Sequence, residues 1–113
     1  MAAAWGHIAR RYPAVTFVVQ GWVPPIIREN VPEDRLTILP WLPLERYPSG
    51  LAQIDIGCCA VADTPFNRPK SNIKAMEYAA AGAAVVASST LYSGLVDHGY
   101  SGLIAESVGE WED

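Results

Sequence analysis

Four short runs constrain this 113-residue chain most: VTFVVQGW at 15–22, LTILPW at 36–41, IDIGCCAVA at 54–62 and AAVVASS at 83–89. Each is rich in β-branched or small apolar residues along its length rather than at every second position. A strand built that way has no polar face to give to water, so it belongs in a parallel sheet whose two faces are covered by helices. Helical segments lie between the runs. AAAWGHIARRY has apolar residues at helical spacing and stops at Pro13, LERYPSGLAQ is a short broken helix, and a longer helix fills the residues before AAVVASS. The proline-rich VPPIIRENVPED reads as a surface connection. After AAVVASS come a helical turn, a glycine turn and a brief last strand at GLIA. The expectation is an α/β protein, a Rossmann-like three-layer sandwich around one mainly parallel sheet.

Length and composition narrow the function classes. One domain over residues 1–113 is all the length allows, with roughly two-thirds of the unfolded surface available for burial. Eight basic and twelve acidic residues give a net charge of -4 with no like-charged block, which argues against a nucleic-acid partner. No apolar run approaches a membrane span, and MAAAWGHIARRYPAV lacks the apolar centre of a signal peptide, so the expected location is the cytoplasm. The only cysteines, Cys58 and Cys59, are adjacent in an apolar run and read as small buried hydrophobes. Doubly wound folds open on a strand, whereas this chain opens on a helix and ends at VGEWED, where another helix can begin. The expectation is therefore a partial domain.

Chemistry concentrates in ADTPFNRPKSNIKAMEYAAAGAAVVASS, residues 62–89. In open α/β sheets ligands sit beyond the carboxyl ends of strands, against helix N-termini. Here the loop leaves the strand 54–62 and enters a helix with Ser71 as N-cap and Gly82 as its stop. The amides at Asn72 and Ile73 begin that helix, and unsatisfied amides with the helix dipole favour an anion, most simply phosphate. Lys70 and Lys74 lie within reach of the same anion. At 3.6 residues per turn Lys74 and Glu77 share a side, next to an apolar stripe of Ile73, Met76 and Ala80 expected to face the sheet. Glu77 then lies one turn below the anion, where a carboxylate can accept two hydroxyl hydrogen bonds, as from a ribose beside a diphosphate. The alternative is a solvated helix face on which Lys74 and Glu77 merely pair. Asp63 and Asn67 in the loop are split between loop hydrogen bonding and ligand contact. Trp5, Trp22, Trp41 and Trp111 are expected to pack over the core, and His7 and His98 to be surface residues.

FNRPKSNIKAMEYAAAGAAVVASS resembles the donor-binding half of group 1, family-4-like glycosyltransferases with the GT-B architecture. LAQIDIGCCAVAD, LYSGLVDHGYSGLIA and RRYPAVTFVVQGW are similar to further segments of that half, in the same order, so the likeness spans most of the chain. The resemblance implies a donor-binding part of an enzyme that moves a sugar from a nucleotide-diphosphate sugar to an acceptor hydroxyl, as in polysaccharide or lipid-linked glycan synthesis. Carried over by position, Lys70, Ser71, Asn72, Ile73 and Lys74 would hold the diphosphate and Glu77 the ribose. Ser88, Ser89 and Tyr92 would form a second wall contacting sugar or phosphate. The family's other signature glutamate falls at Pro69, which leaves the donor-sugar contact and the catalytic residues unassigned. No metal and no cofactor beyond the nucleotide sugar is implied.

The resemblance also implies an N-terminal acceptor-binding domain in a longer protein, and a first strand of this half that the sequence does not supply. Runs 15–22 and 54–62 would flank that strand. They would either close on each other or have the gap filled by another chain through self-association; otherwise the fragment would fold poorly, with open edges. An ordered monomer with a vacancy between them would contradict this expectation. A non-catalytic remnant or adaptor that kept the fold is the alternative, favoured by Pro69. A sugar-nucleotide epimerase, which shares the architecture, is a third reading.

Overall fold

The computed structural model describes residues 1–113 and gives two compact units, one formed by residues 1–50 with 108–113 and the other by residues 51–107. In the first unit α1 (Ala2–Arg11) is followed by β1 (Phe17–Gln20), α2 (Pro25–Asn30), a 3₁₀ turn at Glu33–Arg35 and β2 (Leu36–Leu39). The short α3 (Tyr47–Leu51) leads to the second unit, and α6 (Val108–Glu112) returns the chain to pack on α1. The second unit runs β3 (Ile56–Cys59), α4 (Ile73–Ala80), β4 (Ala84–Ala87), α5 (Ser89–Tyr92) and β5 (Leu103–Ile104).

All strand pairs are parallel, as expected of the α/β class. The pairing is divided, however, between a two-stranded sheet β1-β2 and a three-stranded sheet β3-β4-β5, where the sequence suggests one sheet. β1 pairs with β2 alone and β3 with β4 alone, so each keeps one open edge.

The first unit packs Ala9, Phe17, Val23, Ile27 and Val31 together, with Trp5 tilted against Phe17 at 5.1 Å between ring centroids. Ile27 belongs to α2, so the proline-rich connection expected at the surface is a helix with a buried face. Pro25 at its first position costs no hydrogen bond and presets the helical φ, so two prolines start the helix rather than prevent it. The end of α1 is held by Arg35. Its guanidinium donates to the carbonyl oxygens of Ala9 at 2.7 Å, Tyr12 at 2.8 Å and, through Nε, Val15 at 2.7 Å. These carbonyls lie in and just beyond the last turn of α1, where helix carbonyls lack intrahelical donors. Trp41 lays its indole over Gly21, whose φ of +86° suits glycine, and Trp22 and Trp41 are 69% and 78% exposed rather than packed inward.

In the second unit the core is Cys59, Ala75, Val85, Ala87, Tyr92 and Val96, flanked by Val61, Tyr78, Leu91 and Ile104. Burial alternates along β3 and β4. Gly57, Cys59, Val85 and Ala87 face this core, while Ile56 and Ala84 are exposed, so these strands are not covered on both faces as their composition suggests.

α4 is also turned differently from the expected stripe. Ala75 is 2% exposed and Tyr78 packs on the core, whereas Ile73 and Met76 are 56% and 53% exposed. The cause is Gly57. A Cβ placed there would lie 2.2 Å from Cγ of Tyr78, so the ring occupies the space that a side chain on β3 would need. Gly57→Ala is expected to destabilise the chain by about 2 kcal/mol through overpacking. In a Tyr78→Ala background the same change is expected to cost much less, which paired denaturant titrations of the four variants would show. Arg35→Lys is expected to lower stability by about 2 kcal/mol, because an ammonium cannot reproduce the three-carbonyl fork; thermal melts of the two proteins check it.

Candidate functional site

The loop from Val61 to Asn72 joins the carboxyl end of β3 to α4, and local hydrogen bonds fold it tightly. Thr64 starts a turn: its carbonyl accepts from the amides of Asn67 and Arg68, each at 3.0 Å, and its hydroxyl oxygen accepts from Asn67 N–H at 3.2 Å. Asn67 Nδ2 donates back to the carbonyl of Ala62 at 2.9 Å, and Asn67's own carbonyl accepts from Lys70 N–H at 3.0 Å. Arg68 closes the loop with a two-pronged ion pair to Asp63, at 2.7 and 3.0 Å. Asparagine, threonine and aspartate suit this work because their short side chains bond neighbouring backbone or loop groups.

The sequence-derived residues therefore divide by role. Lys70, Ser71, Asn72, Ile73 and Lys74 come together at the start of α4. The N-cap is Asn72 rather than Ser71, and its side chain makes no capping bond. The helix has no acidic residue in its first turn, and Lys74 sits there against the dipole. Lys70 Nζ lies 4.5 Å from the centre of the Phe66 ring, which is 78% exposed. Lys74 Nζ lies 3.8 Å from Glu77 Oε2 and 5.5 Å from the centre of the Tyr78 ring. The Lys74–Glu77 pair that a solvated face would make is thus present, and both side chains remain open to water. The helix stops where Gly82 takes a φ of +83°.

Asp63 and Asn67 serve the loop itself through Arg68 and Ala62. Ser88 is buried beneath the loop, where its Oγ accepts from Val61 N–H at 3.0 Å. Tyr92 is 3% exposed and packs in the core cluster with Cys59, so it belongs to the core rather than to a wall of the site. Ser89 begins α5 and is half-buried. Arg68 and Phe66 are the functional candidates the sequence reading passed over. The signal for Arg68 was an aspartate five positions before it across a turn-forming segment.

Cys59, Asp63, Arg68 and Tyr92 all show environmental effects here. Burial pushes the Cys59 thiol up to about 11, with the neighbouring Cys58 adding to the shift, so Cys59 stays a protonated core residue. The Arg68 hydrogen bonds hold the Asp63 carboxyl below its ordinary range. Since the folded carboxylate is favoured, any stability it contributes is present above the unfolded Asp value and is lost as pH falls through the lowered one. A carboxyl-carbon NMR titration should find Asp63 with a depressed midpoint, and Arg68→Ala should raise it.

Neither histidine joins this loop. His98 Nδ1 accepts from Ile104 N–H at 3.0 Å, and His7 pairs with Glu112 at 2.5 Å. No helix is long and apolar enough to cross a membrane. No protein-family model, curated protein or solved structure matches the chain.

Proposed function

We propose that residues 62–77 bind the diphosphate and ribose of a nucleotide-diphosphate sugar, and that the chain is the donor-binding part of a cytoplasmic glycosyltransferase acting on an acceptor hydroxyl. The observation that carries this reading is the start of α4. Two lysines flank a helix N-terminus that has no side-chain cap and no acidic residue in its first turn, and Glu77 stands one turn further on. An anion there gains from the helix amides and dipole and from the lysines together. In sugar transfer the departing diphosphate accumulates negative charge, which preorganised amides and cations stabilise. Glu77, 3.8 Å from Lys74, would exchange that weak pairing for ribose hydroxyls while Lys74 turns to phosphate.

The sequence likeness to the GT-B donor half supports the same assignment. An acceptor-binding domain would then supply the remaining contacts, and the open edges would be the places for self-association. Pro69, standing where the family has glutamate, favours a second reading: a non-catalytic remnant or adaptor on the same fold.

The test is a calorimetric titration of the folded chain with UDP, GDP and a sugar nucleotide. Saturable binding of one diphosphate is expected, weakened about tenfold by Lys74→Ala and by Glu77→Ala. A folded chain that binds none of them would refute the donor site and leave the remnant reading.

A further inference from the structure

Ser88 follows β4 and stands at the N-cap of α5, where a serine hydroxyl ordinarily bonds an amide of its own helix. It makes no such bond. At 7% exposure it is instead the one buried aliphatic hydroxyl of the chain, and it reaches to the adjacent strand. The β3–β4 ladder shows why. Ala84 N–H bonds Asp55 carbonyl at 2.9 Å and Ser88 N–H bonds Cys59 carbonyl at 3.1 Å, at the two ends of a regular parallel register. The next rung of such a ladder would run from Val61 N–H to the Ser88 carbonyl. It runs to Ser88 Oγ, at 3.0 Å, while that hydroxyl lies 3.5 Å from the Cys59 carbonyl, to which it donates. The side chain thus takes over one rung, and the Ser88 carbonyl is released to open α5.

We propose that Ser88 is the positioning residue of the 61–72 loop: its hydroxyl fixes the point at which the chain leaves β3, and so where Lys70 and the first turn of α4 stand. The second half of this statement rests on the proposed reading of that turn as an anion site. With Val61 held at one end and the Thr64 turn and Asp63–Arg68 pair within, the loop has little freedom before a ligand arrives. Pre-ordering of this kind reduces what binding must cost. Removing the hydroxyl leaves Val61 N–H without its acceptor and detaches the loop at its root.

The experiment is amide hydrogen exchange on the full chain for the wild type, Ser88→Ala, Ser88→Cys and Ser88→Thr, with UDP and GDP titrations of each. The cysteine variant keeps the buried volume with a poor acceptor, and the threonine variant keeps the hydroxyl. Val61 is expected to exchange about tenfold faster in the alanine and cysteine variants and to recover in the threonine variant. Ala105, whose amide bonds Ala87 in the same unit at 2.9 Å, is expected to hold its rate. Nucleotide affinity should fall and recover in parallel with Val61. Unchanged Val61 exchange, or Ala105 accelerating in step with it, would overturn the positioning role. Faster Val61 exchange with unaltered nucleotide affinity would overturn the link to the anion site. A wild type that binds neither UDP nor GDP would overturn the donor reading alone, since exchange still decides what Ser88 does.

Discussion

The contact between the bare backbone of Gly57 and the ring of Tyr78 sets the rotation of α4, and the candidate site inherits that rotation. With about 100° between successive helical residues, burying Ala75 and Tyr78 turns the helix through nearly half a revolution from an arrangement that buries Ile73 and Met76. Lys74 then lies on the flank of the buried side, close enough to Tyr78 for its ammonium to approach the ring, with Glu77 beside it one turn on. A glycine in a strand thus determines which charged side chains stand at the mouth of a helix sixteen residues later in the chain.

Most of the elements were legible because each is set by local chemistry. β-branched and small runs gave the strands, and Gly82 marked the end of α4. What stayed hidden depends on pairs of distant residues. The apolar stripe of Ile73, Met76 and Ala80 is a sound helical signal, and only the space above Gly57 makes Ala75 and Tyr78 the better buried pair. α2 was concealed by prolines that usually break structure but here occupy the one turn that tolerates them. Arg35 looked like one charge among several, and its three carbonyl partners lie 20 to 26 residues away.

The same division runs through the site. The basic residues at the start of α4 could be read directly, since their spacing alone brings them together. The roles of Asp63, Asn67 and Ser88 could not, because each has a polar group equally suited to ligand and to backbone. In the structure the Arg68 side chain claims Asp63, and the backbone claims Asn67 and Ser88. What a sequence presents as a group of possible ligand contacts is therefore layered: an outer edge of lysines and Glu77, with side chains behind it that hold the loop in shape. Each inner hydrogen bond is modest, but together they restrict the loop's conformations before anything binds.

The chain path carries a consequence for the order in which the protein forms. Its first unit is discontinuous, since α6 comes from residues 108–112 and packs on α1 at the other end of the sequence. Of residues 1–113, α1 is made before the other elements and its partner α6 after them. The whole of residues 51–107 leaves the ribosome in between, and that unit contains all its own strands. It can therefore complete its core while the earlier-made unit still lacks a helix, so that the segment translated second is the first able to finish folding.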